Sequence, residues 1–450
     1  MGVIGFAHLS PSPMAPPERG DSALVRGIGV FGLAAGIVNI AIGGGIFRLP
    51  ALVAGSLRRG APFAYLVCAV VMGLVVLCFA AAGSRVALTG GPYAYIEVAF
   101  GPFVGFLAGV LLWLLGTLAT GAVAAVFVSN ATALSPVLRD QGPLVLILVM
   151  AGLTALNIVG LRSGAFLNTV TAIAKLVPLL ILLAAGAWAA RRLPLPWPTV
   201  PPPGDLARTS ALLVFAFCGF ECALVPSGEV KDVARTVPRA ILMAMGAVCV
   251  LYLALQFVAQ AVMGDRLATA TATPLADLGF EVLGPPGRLL LLWGATLSMF
   301  GFLSGMTLAV PRALFAFARD GFLPEILSSV HPRYRTPAVA IAVQSTIVTA
   351  LALTSSFERL AILANLSILL VYAGCCLAAF ELRRRGVEAG GTPFDVPAPA
   401  FLPFAACAGI AWILLGIHWD EWVAVLLAII GASLLFGLSR RFRRGARDGA

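Results

Sequence analysis

Asn39-Ile40-Ala41-Ile42-Gly43-Gly44-Gly45-Ile46-Phe47-Arg48-Leu49-Pro50 lies inside the first long apolar run of the chain, 24–53. Three consecutive glycines interrupt a segment long enough to cross a bilayer. Glycine costs about 1 kcal/mol relative to alanine in a helix interior, so three together predict a break rather than a weak spot. Broken backbone at membrane depth leaves N–H and C=O groups open, which is tolerated only where protein, water or a ligand satisfies them. Close helix packing by small residues is the simpler use of a glycine. A triplet followed by Ile46-Phe47 and Pro50 fits a break near the bilayer middle instead, and such a break is a candidate binding site.

Outward from this stretch, the chain is apolar throughout. Of its 450 residues 60% are hydrophobic and 11% charged, against roughly 25% charged in a soluble domain, and the mean hydropathy is +0.99. These values imply an all-α polytopic membrane protein. The net charge of +10 falls in short loops and at the C-terminus, where topology signals belong, so a nucleic-acid partner is excluded. The cysteines (Cys68, Cys78, Cys218, Cys222, Cys249, Cys375, Cys376 and Cys407) lie mostly in apolar runs without a CxxC pair. They read as small buried hydrophobes rather than a metal site. With only His8, His331 and His418, and no HExxH, GxSxG or phosphate-loop motif, no enzyme, cofactor or metal is expected.

A spanning helix needs about 20 apolar residues, and about twelve runs qualify: 24–53, 61–83, 102–132, 142–161, 165–190, 207–228, 237–263, 288–317, 337–353, 359–382, 401–417 and 422–438. The segment 84–101, with Gly90-Gly91-Pro92-Tyr93-Ala94-Tyr95-Ile96-Glu97, is too polar to span and predicts a short interfacial helix; 264–287 is a polar loop. The proline-rich 191–206 predicts a stiff, extended connector between two halves. The organisation expected is a cytoplasmic tail over 1–22, lacking the pattern of a signal peptide; a first unit of five spans over 23–190; the connector; a second unit of five over 207–384; two more helices over 385–438; and a basic tail over 439–450. With an inside N-terminus, nineteen of the 30 lysines and arginines fall on the inner side and ten on the outer, with Lys175 inside a span. The bias predicts that both termini are cytoplasmic.

The sixth run carries a second interruption, Cys218-Gly219-Phe220-Glu221. Two broken helices at corresponding places of two halves are the sequence pattern of a transporter site. A half-helix starting near Ile46 offers free N–H groups and the positive end of its dipole to a carboxylate. Carbonyls left open before the breaks, near 40–42 and 215–218, suit an ammonium group. An α-amino acid carries both groups on one carbon. A channel vestibule or a structural kink is the competing reading.

Further motifs accompany the breaks: Phe215-Ala216-Phe217-Cys218-Gly219-Phe220-Glu221 with Glu229-Val230-Lys231-Asp232 and Val237-Pro238-Arg239-Ala240, then Pro311-Arg312-Ala313-Leu314 with Arg319-Asp320-Gly321-Phe322-Leu323-Pro324, His331-Pro332-Arg333-Tyr334 and Thr336-Pro337. In order and spacing these resemble the amino acid–polyamine–organocation superfamily of secondary transporters. The resemblance implies a leucine-transporter-type 5+5 inverted repeat with helices 1 and 6 broken and two peripheral helices. It implies that Gly43, Gly44 and Gly45 present amides to a substrate carboxylate. Ala41, Ile42, Ala216 and Gly219 would give carbonyls to its amine. Members often have serine where this chain has Gly44, and asparagine-proline where it has Asp232-Val233. Phe215 matches an aromatic gate, with a plain core phenylalanine as the alternative. Glu221 would recognise a cationic substrate or, the reading preferred here, serve a structural or coupling role. Register places Thr120, Met306, Cys218 and Cys222 around the substrate side chain, which suits a neutral amino acid, although Met306 also fits simple packing.

Lys175 stands inside the fifth span. A buried ammonium is costly unless paired, and intramembrane ionisable groups mark function. Sodium-independent members carry a lysine on helix five where relatives bind sodium. The resemblance therefore implies that Lys175 faces carbonyls around 36–39, with Ser304 as a further partner. Lys175 is read as a site of proton coupling, or alternatively as a fixed strut in an exchanger. The function expected is alternating-access transport of neutral amino acids across a bacterial-type inner membrane, coupled to protons and independent of sodium. An amino acid/polyamine exchanger and a non-transporting amino acid sensor are the alternatives.

Overall fold

The computed structural model describes residues 29–448 except 87, 89, 135, 139, 160–163, 194–198, 225–229, 271 and 389–391. The predicted tail 1–22, Glu229 of the second motif and Pro194, Pro196 and Pro198 of the connector lie outside the described residues.

Helices make the fold. They are α1 (Val30–Ala41), α2 (Leu49–Leu57), α3 (Ala61–Gly83), α4 (Pro92–Phe100), α5 (Pro102–Leu134), α6 (Gly142–Val159), α7 (Gly164–Ala190), α8 (Pro203–Phe217), α9 (Phe220–Ala223), α10 (Val233–Met263), α11 (Pro274–Ala309), α12 (Pro311–Arg319), α13 (Ala338–Thr354), α14 (Phe357–Arg384), α15 (Leu402–Leu414) and α16 (Trp419–Asp448). Among the described residues seven helical segments are long and apolar enough to cross a bilayer, so the chain is a multi-pass membrane protein. α1, α13 and α15 are shorter apolar helices; α1 is short because it is one half of an interrupted span.

Proline sets several boundaries differently from the sequence reading. α8 starts at Pro203, inside the predicted connector. The ring's fixed φ and missing N–H suit the first helical turn, where no intrahelical acceptor is available. α11 starts at Pro274, inside the predicted polar loop, and kinks at Gly284 (φ 69°, ψ −160°) before Pro285 and Pro286. The run 288–317 is divided between α11 and α12 at Pro311. The short helix expected within 84–101 is α4.

The centre of the bundle is α5 and α14, each with 72% of its apolar window buried, while α6 (22%) and α16 (17%) are peripheral. α14 packs on α5, α3, α8 and α15; α11 packs on α7 and α5; α1 lies against α10 and α9. The two interrupted spans therefore sit inside the bundle. Below, "outer" denotes the end carrying Arg58 and Arg59, following the charge bias, and "inner" the end carrying Arg85.

Candidate functional site

α1 ends at Ala41. Ile42 (φ −77°, ψ 74°) and Gly43 (φ −93°, ψ −157°) leave helical geometry, and a 3-10 turn, Gly44–Phe47, leads into α2. None of the three glycines has positive φ, so their role is spatial. A Cβ on Gly45 would stand 2.9 Å from Cδ1 of Phe215, and one on Gly44 would stand 3.1 Å from Cγ1 of Val123 and 3.3 Å from Sδ of Met299. The Gly43 amide turns back to the Ala41 carbonyl at 2.8 Å. Among the described residues the amides of Gly44 and Gly45 donate to no protein acceptor.

Carbonyls freed by this break are met from two other helices. Lys175 Nζ on α7 donates to the carbonyls of Asn39 and Ile42, the latter at 2.9 Å. Tyr252 Oη on α10 donates to the Ala41 carbonyl at 3.1 Å. Lys175 and Tyr252 are both buried. Ser304 is not among the acceptors of Lys175; its carbonyl instead accepts from Thr307 at 3.0 Å.

The second break has a different construction. α8 ends at Phe217; Cys218 is extended (ψ 162°), and Gly219 takes φ 109° before the short α9. That φ is open to glycine and strained for any L side chain. The Gly219 amide donates to both carboxylate oxygens of Glu221, at 3.0 and 2.9 Å, and Tyr372 Oη on α14 donates to the same carboxylate at 2.8 Å. Tyr372 is held by stacking on Phe220, with centroids 5.3 Å apart. Asn365, also on α14, donates to the carbonyls of Ala211 (2.7 Å) and Leu212 (3.0 Å), and Cys218 Sγ lies 3.8 Å from its Oδ1. Among the described residues no hydrogen bond reaches the carbonyls of Phe215 or Ala216.

The two breaks touch. A Cβ on Gly219 would lie 2.9 Å from Ile40 Cγ2 and 3.1 Å from the Ile40 carbonyl oxygen. Phe215 covers Gly45 and meets Phe357 edge-on, centroids 5.4 Å apart. Beyond it, Arg48 donates to the Ala272 carbonyl at 3.3 Å and pairs with Glu358 at 3.9 Å.

Of the predicted residues, Ala41, Ile42, Gly43, Gly44, Gly45, Phe215, Ala216, Cys218, Gly219, Lys175 and Glu221 thus belong to the two breaks or their direct supports. Cys222 sits in α9, below the second break. Thr120 is buried with its hydroxyl donating to the Gly116 carbonyl of its own helix, at 2.5 Å. Met306 stands against Gly116, its Cε 3.6 Å from where a Cβ would be, whereas the α11 methionine beside Gly44 is Met299, two turns away. Tyr252, Asn365, Tyr372, Val123 and Met299 escaped the sequence reading. Polar side chains within apolar runs are a usable signal for the first three; nothing local distinguishes Val123 or Met299.

Comparison with known proteins bears on this geometry. A family model described as amino acid permease matches residues 28–436. The serine/threonine exchanger SteT of Bacillus subtilis is 27% identical over 434 residues, covering 94% of this chain and 98% of its own length. The branched-chain amino acid permease BcaP of the same organism is 25% identical over 464 residues, covering 97% and 98%. An uncharacterized transporter of Mycobacterium tuberculosis is 28% identical over 421 residues, covering 86% and 93%.

Proposed function

The chain belongs to the amino acid permease family, a family of transporters and not of enzymes, and on that premise we propose that it carries neutral amino acids across the cytoplasmic membrane by alternating access, independently of sodium and coupled to protons. The observation that carries the proposal is the meeting of the two breaks. The unengaged amides of Gly44 and Gly45 lie on one side, and the open carbonyls of Phe215 and Ala216 on the other. This suits a zwitterion, with carboxylate to the amides and ammonium to the carbonyls. Ile42 holds one protein donor, Lys175, and contributes through its second lone pair, whereas the Ala41 carbonyl already accepts from both Tyr252 and the Gly43 amide and is not counted among the ammonium's partners.

Neutral substrates are favoured because Glu221, the carboxylate at the second break, is already engaged by the Gly219 amide and Tyr372 in bracing that break. The names of two relatives, a serine/threonine exchanger and a branched-chain amino acid permease, point the same way. Phe215 closes over the substrate from the outer side. Lys175 occupies the place of a sodium ion and, by gaining and losing its proton, strengthens and weakens its hold on Asn39 and Ile42. In this reading spans one to five and six to ten form the inverted repeat, α15 and α16 lie outside it, and both termini are cytoplasmic.

Obligatory exchange is the second reading, favoured by the printed activity of SteT and by the fixed position of Lys175 between two carbonyls. Uptake of labelled neutral amino acids into proteoliposomes separates the readings. Stimulation by an inward proton gradient, lost in Lys175→Ala, supports coupling. Uptake that ignores the gradient and requires amino acid inside the vesicle supports exchange. Ligand binding without flux would make the protein a sensor and overturn both.

A further inference from the structure

A second polar feature lies behind the first break, away from Phe215. On one face of α10, the helix that packs against both α3 and α1, Gln260, Gln256 and Tyr252 follow one another at single-turn spacing, about 6 Å apart along the axis. Gln260 donates to the Arg58 carbonyl at 2.6 Å and lines an outer pocket of about 100 Å³ shared with Ala54, Arg58, Arg59 and Asp265. Such a volume holds several water molecules. Tyr252, two turns inward, ends the series at the Ala41 carbonyl.

Between these ends stand groups that the protein leaves unanswered. Gln256 is fully buried, and among the described residues neither its Oε1 nor its Nε2 has a protein partner; the same holds for Tyr65 Oη on α3 and Ser210 Oγ on α8. The three residues come from helices in mutual contact: α3 packs on both α8 and α10, Cys68 Sγ donates to the Ser210 carbonyl at 3.5 Å, and Tyr65 stands one helical turn before Cys68 on α3. A dry core would leave four polar atoms unsatisfied. Each buried polar atom left without a partner carries its full desolvation penalty, so a dry core here would be strongly disfavoured.

We propose that Tyr65, Ser210 and Gln256 bind a short file of buried water that connects the outer pocket at Gln260 with Tyr252, and through it with the carbonyls of the first break. The ligand is water, held by amide and hydroxyl groups able to donate and accept in turn. The file keeps the backbone around Ala41 hydrated while the substrate route is shut. The inference stands on the buried polar groups alone and does not depend on which substrate is carried or on proton coupling.

Hydroxyl-radical labelling by X-ray radiolysis, on the full-length protein in nanodiscs, tests it, because buried bound water generates the radical in place. Tyr372, equally buried but bonded to Glu221, is the internal control. Tyr65 is expected to be modified roughly tenfold faster than Tyr372, as befits a side chain touching bound water, and Gln256→Leu is expected to remove that difference. Should Gln256→Leu fail to fold, Tyr65→Phe is read at Cys68, whose labelling is expected to fall. Labelling of Tyr65 no faster than Tyr372 overturns the proposal. So does a Gln256→Leu protein that melts higher than the parent with Tyr65 labelling unchanged, which is the behaviour of a dry, frustrated pocket.

Discussion

Replacing Glu221 in two ways separates a brace from a proton carrier. The carboxylate accepts from the Gly219 amide at 3.0 and 2.9 Å and from Tyr372 at 2.8 Å. Hydrogen bonds to a charged group contribute about 1.5–3 kcal/mol each. Glu221→Ala removes the shared acceptor of two buried donors, so about 3–6 kcal/mol of support for the second break is lost. At 1.4 kcal/mol per decade, the lower figure already corresponds to about a hundredfold loss in substrate affinity if the Gly219 geometry relaxes before binding. Glu221→Gln behaves differently. Its amide oxygen still accepts from Gly219, and the Tyr372 hydroxyl can turn to accept from its NH₂. The expected result is near-normal uptake for Gln, within about a factor of ten if no more than 1.4 kcal/mol is lost, and none for Ala. Tyr372→Phe should be intermediate. Binding measured by thermal shift and uptake into proteoliposomes are the two assays. A Glu221→Gln protein of normal melting temperature that has lost gradient-driven uptake would refute the brace, because only the loss of a titrating proton explains it.

Three further substitutions have defined outcomes. Gly219→Ala places a side chain at φ 109° and a Cβ 2.9 Å from Ile40, costing about 1–3 kcal/mol in backbone strain plus a similar overlap term; substrate-induced thermal stabilisation should largely disappear. Gly44→Val drives a branched side chain against Val123 and Met299, so uptake of every substrate should fall alike, and normal uptake in a competition assay would remove the carboxylate site from this turn. Arg48→Gln breaks a partly exposed ion pair of 3.9 Å, worth at most about 1 kcal/mol; melting temperature should hardly change, and a large fall would mean that the outer closure depends on Arg48 far more than its geometry indicates.

The sequence made both interruptions visible because glycine clusters in long apolar runs have few other uses, but it did not reveal why they hold. Propensity puts the break on the triglycine, whereas the backbone turns at Ile42 and Gly43, and Gly44 and Gly45 serve to admit Val123, Met299 and Phe215. The residue that needs positive φ is Gly219, a lone glycine in the weaker-looking motif. Depth along a helix was harder to read. Met299 and Met306 lie seven residues apart on one face of α11, and only the packing of α5 decides that Met299 meets Gly44 and Met306 meets Gly116. Partners remote in sequence were out of reach for the same reason. Tyr252 stands 211 residues from Ala41, and nothing local to either announces the bond.

The two breaks differ in how their open backbone is satisfied, and the difference assigns them different parts in a transport cycle. At the second break the Gly219 amide is answered within its own locality, while among the described residues the carbonyls of Phe215 and Ala216 stay open. Glu221 is two residues from the amide it holds, and Tyr372 reinforces it from α14, which packs on α8 as well. Such a unit can move as one body without exposing a polar group. The first break depends on side chains from two separate helices, Lys175 on α7 and Tyr252 on α10. Displacement of α1 relative to α10 leaves Ala41 with the Gly43 amide alone, and displacement relative to α7 uncovers the carbonyls of Asn39 and Ile42 unless another donor replaces Lys175. At membrane depth that donor must be water or the substrate ammonium, since lipid provides none. In the proposed cycle, movement of α1 is therefore tied to what occupies the first break, while α8 and α9 keep their local geometry wherever they move. In the transport cycle proposed above, Lys175 and Tyr252 would therefore control the exchange between states, and Glu221 and Tyr372 would preserve the shape of the second break in each of them.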